Sequence, residues 1–115
     1  GAESKYTLAE NAFAQADYTK TETIVRELLK MKPGYDYWIA KGLILQTKVL
    51  LQKKDLFQAE NTIKSVIDHY PVKDDGIQQE AGELYNEIMQ LKTQPKTLTN
   101  PSEPTVIELD EKTGK

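Results

Sequence analysis

An all-α fold of antiparallel helix pairs is predicted by three features of this chain. Apolar residues recur at spacings of three and four through five successive segments, which is the period of a helix and not of a strand. Strand-like alternation is nearly absent before residue 100. Asp, Pro and Gly separate the segments at short intervals, so neighbouring helices must fold back on one another.

The first segment, about residues 3 to 16, carries Tyr6, Leu8, Ala9, Ala12, Phe13 and Ala16 and stops near Asp17. The second, about 18 to 32, places Thr21, Ile24, Val25, Leu28 and Leu29 on one face and ends at Lys32-Pro33-Gly34. The third opens at Asp36, a side chain suited to an N-cap, and runs to about Lys53. It is apolar nearly all round, which predicts a central helix with partners on several sides. The fourth, about 56 to 70, uses Phe57, Ala59, Ile63, Val66, Ile67 and Tyr70 and stops at Pro71. The fifth starts at Asp75, where Asp75 and Gln78 have capping-box spacing, and aligns Ile77, Ala81, Leu84, Ile88 and Leu91. Its other face, with Gln79, Glu80, Glu83 and Glu87, is polar, as suits the last helix of a stack. After Thr93 the pairs Gln94-Pro95, Asn100-Pro101 and Glu103-Pro104 forbid helix, and Thr105-Val106-Ile107-Glu108-Leu109 is the one strand-like stretch.

The segments repeat. Asp17 and Asp55 stand 38 residues apart (55 − 17), and Pro33 and Pro71 keep the same interval (71 − 33). Around them Ala16-Asp17-Tyr18-x-x-Thr21-x-x-x-Val25 answers Lys54-Asp55-Leu56-x-x-Ala59-x-x-x-Ile63. The chain therefore divides into a first unit at 2–34, a second at 35–72, a capping helix at 73–92 and a Pro/Thr-rich extended tail at 93–115.

This pattern resembles the tetratricopeptide repeat, a helix-turn-helix unit of about 34 residues. Leu8-Ala9 and Gln46-Thr47 stand where the family places a leucine and a small residue at the helix approach, with Gln46 a departure. The family's alanine in the second helix is Ala59 in one unit and Thr21 in the other, and its early tryptophan gives way to Lys5 and Leu43. The added length fits one extra turn at Tyr35-Asp36-Tyr37-Trp38. The resemblance implies an α-solenoid of two repeats and a cap whose first helices line a concave surface. On that surface Tyr6, Glu10 and Phe13, with Lys41, Ile44, Lys48, Leu51 and Gln52, are the candidates for partner binding. Some members clamp a C-terminal carboxylate with lysine and asparagine where Tyr6 and Glu10 stand here, so that clamp is not expected. The degenerate repeats are also similar to the C-terminal repeats of long bacterial tetratricopeptide proteins, which implies a periplasmic or cell-envelope location.

Composition narrows the function. The chain's 115 residues suffice for one core. Fifteen Lys and Arg against 18 acids give a charge of −3, without the basic field that a nucleic acid backbone needs. The absence of Cys excludes thiol catalysis, disulfides and thiolate zinc, and a single His excludes a multi-histidine metal site within one chain. Lys41, Lys48 and Lys53 interrupt the most hydrophobic stretch before it reaches membrane-spanning length. Gly1 in place of Met reads as the start of a piece cut from something longer.

Enzyme motifs are missing. His69, alone in titrating near neutrality, precedes Tyr70-Pro71 at a helix end, where it meets unpaired carbonyls and the negative pole of the dipole. Glu80, Glu83 and Glu87 form a solvated stripe and not a facing acid pair. Glu22 with Arg26 and Glu60 with Lys64 are expected as i,i+4 ion pairs. Tyr35, Tyr37 and Trp38 are read as a staple between units. The expectation is thus a non-catalytic scaffold without cofactor or metal, binding a protein partner's peptide or helix on its concave face. The competing expectation is a structural C-terminal cap of a longer solenoid, sticky on the outer face of its first two helices, whose partners are further repeats or a second copy. The tail is expected to be floppy; the sharper alternative is that residues 105–109 fill an apolar groove lined by Tyr6, Phe13, Ile44 and Leu51, within the molecule or on a neighbour.

Overall fold

A computed structural model describes residues 1–31 and 36–93. Five helices follow in order, α1 (Ala2–Ala14), α2 (Tyr18–Met31), α3 (Tyr37–Gln52), α4 (Leu56–His69) and α5 (Ile77–Thr93), and no strand occurs among the described residues. Expectations that fall on Pro33, Tyr35 and the tail from residue 94 onward lie outside them.

The α1–α2 and α3–α4 turns are built alike. Ala16 and Lys54, 38 residues apart, both take left-handed φ, 60° and 66°. Each closes a Schellman turn, in which the next residue's N–H reaches back five residues: Asp17 to the Ala12 carbonyl and Asp55 to that of Leu50, both at 2.9 Å. Those same aspartates then cap the following helix, Asp17 accepting from the Lys20 amide at 3.2 Å and Asp55 from that of Gln58 at 3.1 Å. One residue thus ends a helix and starts the next, leaving no slack, and the pair is forced antiparallel. Asp36 caps α3 in the same way, accepting from the Ile39 amide at 3.0 Å.

Small residues set the helix approaches. Ala9 and Thr21 in the first pair, and Thr47 and Ala59 in the second, are wholly buried, the alanine and the threonine exchanging places between equivalent sites. Each threonine hydroxyl is satisfied within its own helix, Thr21 by the Asp17 carbonyl at 2.8 Å and Thr47 by that of Leu43 at 2.9 Å. The substitution of threonine for alanine therefore leaves no buried donor unpaired.

α3 touches all four other helices, as its apolar circumference predicts. Two clusters share it: Tyr6, Ala12, Val25, Leu28 and Leu45 on the α1–α2 side, and Ile44, Leu50, Ile63, Val66 and Ile88 on the α4–α5 side. Gly42 lets α2 come close, since a Cβ there would lie 2.8 Å from Leu28 Cδ2.

Polar ties between successive pairs depart from the sequence expectations. Glu22 binds Lys53 Nζ at 2.8 Å and Gln46 Nε2 at 3.2 Å across the α2–α3 contact, so Arg26 is not its main partner. The departure at Gln46 is thereby explained: it serves a buried-edge carboxylate instead of the core. Glu60 likewise binds Lys92 of α5 and not primarily Lys64. The two ties correspond, for Glu22 and Glu60 lie 38 apart and Lys53 and Lys92 lie 39 apart. Both carboxyls are held below the ordinary carboxylate value, first by the lysine hydrogen bond.

Three further expectations need correction. Gln78 does not close a capping box; its amide donates to the Tyr70, Ile67 and Val66 carbonyls at 2.9, 3.2 and 3.4 Å, satisfying the open end of α4, while Asp75 accepts from the Ile77 amide at 3.2 Å. Phe57 does not join the apolar face of α4 but stands 73% exposed in its first turn. Leu8, aligned with a helix approach, is 55% exposed because no helix covers the outer side of α1.

Candidate functional site

α1, α3 and α5 form one face of the stack, because antiparallel pairing returns every second helix to the same side. At one end Tyr6 of α1 packs its ring 5.6 Å from that of Trp38, and the Lys41 ammonium lies 5.2 Å above Tyr6 and 6.0 Å from Tyr37. Tyr37 meets Trp38 edge-on at 4.9 Å, so the aromatic cluster does staple α3 to α1. The Tyr6 hydroxyl points to Glu10 Oε2 at 3.5 Å. Burial first, then the Glu10 and Glu80 carboxylates, push this phenol well above its ordinary value, and it stays a neutral donor.

At the other end Phe13 of α1, Lys48, Leu51 and Gln52 of α3, and Leu84 and Glu87 of α5 enclose an open pocket of about 290 Å³. Its floor is α3 and its walls are α1 and α5. Lys48 reaches Glu80 at 3.0 Å, and both side chains remain more than a third exposed. An ion pair this wet contributes at most about 1 kcal/mol, so either charge can be traded for one on a ligand.

Four of the eight sequence candidates, Phe13, Lys48, Leu51 and Gln52, thus share one pocket. Glu10 is exposed beside Tyr6, and Lys41 is engaged with the aromatic rings. Ile44 is misplaced by the expectation: it is 2% exposed and packs in the α3–α4–α5 cluster, because that helix is covered on more sides than a single concave stripe allows. Tyr6, at 9% exposure, offers a partner little surface. α5 is a wall that the family resemblance does not imply: Glu80 and Glu87, seven residues apart like Lys41 and Lys48, share a two-turn stripe, and Glu80 meets Lys48 while Glu87 lines the pocket, so the stripe is not wholly given to solvent.

The face has apolar side chains on its floor and charges of both signs at its rim. Among the described residues no group of three or more His, Cys, Asp or Glu could hold a metal ion, and no helix is long and apolar enough to cross a membrane. His69 ends α4 with Nδ1 at 3.1 Å from the Ser65 carbonyl oxygen. No protein-family model matches the chain, and comparison with curated proteins and with solved structures gives no significant match.

Proposed function

We propose that the chain is a non-catalytic protein-interaction module of tetratricopeptide-like architecture, which takes a partner's peptide or helix into the groove between α1 and α5. The observation that carries this reading is the convergence of Phe13, Leu51 and Leu84, from three helices, on one open pocket rimmed by Lys48 and Glu87. A curved face of alternate helices with apolar anchor sites is a recurrent way to hold an extended or helical segment. The congruent turns at Ala16 and Lys54, and the matched ties Glu22–Lys53 and Glu60–Lys92, support the repeat architecture.

A structural cap would need an apolar outer face on α1. The α3 residues that pack toward α2 include Gly42, Leu45 and Val49, all buried. Their counterparts on α1, 38 positions earlier, are Ser4, Thr7 and Asn11, all exposed and polar. Leu8 on α1, with Met31 at the end of α2, is a weak anchor for a further helix, which favours the recognition reading.

Peptides selected by display against the full chain test the proposal. Their addition to isotope-labelled protein should shift the amides of Phe13, Lys48, Leu51 and Leu84. Lys48→Glu and Leu51→Glu should each weaken binding by roughly tenfold, the scale of an interface contact worth over 1 kcal/mol. Selected peptides that ignore both variants and shift α2 and α4 instead would refute it.

A further inference from the structure

We infer that the chain's own C-terminal segment, residues 105–109, seats in the groove between α1 and α5 and competes there with outside partners; this rests on the groove being the recognition surface. The tether is the first argument. α5 supplies Leu84 and Glu87 to the groove and ends at Thr93, six residues past Glu87, a distance of about 9 Å along the helix. Eleven residues, 94–104, connect that end to the segment. Fully extended they reach ~40 Å, and as a coil they average roughly 20 Å end to end. The distance of about 9 Å along α5 is shorter than either figure, so the tether spans it without strain. A short flexible tether of this kind gives an effective concentration on the order of 1 mM.

The second argument is complementarity. Val106, Ile107 and Leu109 are the one apolar cluster in the last ten residues, and in an extended chain Ile107 and Leu109 fall on the same side. They match a groove lined by Phe13, Leu51 and Leu84. Pro101 and Pro104 narrow the conformations open to the free segment, so less entropy is lost on seating it. Phe57, the most exposed large apolar side chain among the described residues, is a poorer seat because it stands in the first turn of α4, outside the α1–α3–α5 face.

Weak intrinsic affinity suffices for a tethered ligand. A segment with a dissociation constant of about 0.1 mM would be bound roughly nine-tenths of the time at that effective concentration. Outside partners would then see the groove free for about a tenth of the time, and their apparent Kd would be about tenfold weaker than intrinsic.

The test compares the full chain with its Ile107→Asp/Leu109→Asp variant, whose changes lie outside all five helices. The variant's amide resonances should move at Phe13, Lys48, Leu51 and Leu84 and stay fixed on α2, and a display-selected groove peptide should bind it about tenfold more tightly. Unmoved groove amides and an unchanged peptide Kd would overturn the inference; if the peptide still maps to the groove, the recognition reading survives alone. If the peptide maps elsewhere while the tail variant still moves the groove amides, the tail seats there and the recognition reading falls instead. Groove shifts in the parent chain that fade on dilution would assign the occupant to a second copy and also overturn it.

Discussion

Replacing Gly42 by Ala sets two effects of known sign against each other. In the interior of α3 the change removes backbone freedom from the unfolded chain and favours the helix by about 1 kcal/mol. The new Cβ, however, would stand 2.8 Å from Leu28 Cδ2, 3.7 Å from Leu28 Cγ and 3.8 Å from Val25 Cγ1. Leu28 Cδ2 is the end of a flexible side chain, but Leu28 is fully buried and Val25 nearly so, so moving it disturbs packed neighbours. Overpacking of that kind costs ~1–3 kcal/mol, so the net effect should be a loss of up to about 2 kcal/mol. Gly82, within α5, is the control, because a Cβ there meets nothing within 4 Å. Gly82→Ala should stabilise by up to about 1 kcal/mol. Chemically identical substitutions should therefore move thermal and urea midpoints in opposite directions, with melting temperatures separated by on the order of 10 °C for a domain of this size. Circular dichroism melts of the two variants, with Leu28→Val added to Gly42→Ala as a relief of the contact, would measure it. The reasoning fails if Gly42→Ala stabilises as much as Gly82→Ala.

Glu22 holds a lowered pKa, so its stabilisation is present above the ordinary value, about 4.5, and is lost as pH falls below it toward the folded value. Glu22→Gln should be less stable than the parent near neutrality, with the gap closing in urea melts taken progressively below pH 4.5. Gln78→Ala should cost ~1–3 kcal/mol by stranding carbonyls at the end of α4, and amide exchange should accelerate around the α4–α5 junction; unchanged exchange would count against Gln78 as the cap of α4. Ala59→Leu, at a wholly buried site, should cost about 1–3 kcal/mol, and a parental melting curve would show that the α3–α4 approach is misassigned.

What the sequence disclosed was mainly local. The aspartates at 17, 36 and 55 act on amides three residues away, so their roles were readable from the order of residues. The central place of α3 followed from its apolar circumference, and the lateral groove partly from the helix repeat. Errors arose where a side chain chose between a near partner and a far one. Glu22 took Lys53, 31 residues on, over Arg26, and Gln78 turned from its own helix to carbonyls eight to twelve residues back. Spacing records the near choice only, because the far one depends on how the helices stack. Ile44 and Leu8 failed for a related reason. Whether an apolar residue is floor, core or surface depends on which helix covers it, and the pattern on one helix does not name its neighbours.

The groove's floor and walls differ in how firmly they are held. Among the described residues α3 is packed by every other helix, whereas α1 rests on α2 and α3 and α5 on α3 and α4. Opening of either outer helix disturbs one cluster, but opening of α3 dismantles both, so protection from amide exchange should be greatest at the floor and least at the walls. A ligand touching Phe13 on one wall and Leu84 on the other would therefore clamp the two most readily opened elements at once. Its arrival would slow exchange at opposite ends of the stack, in segments that share no contact with each other, and the floor would change least.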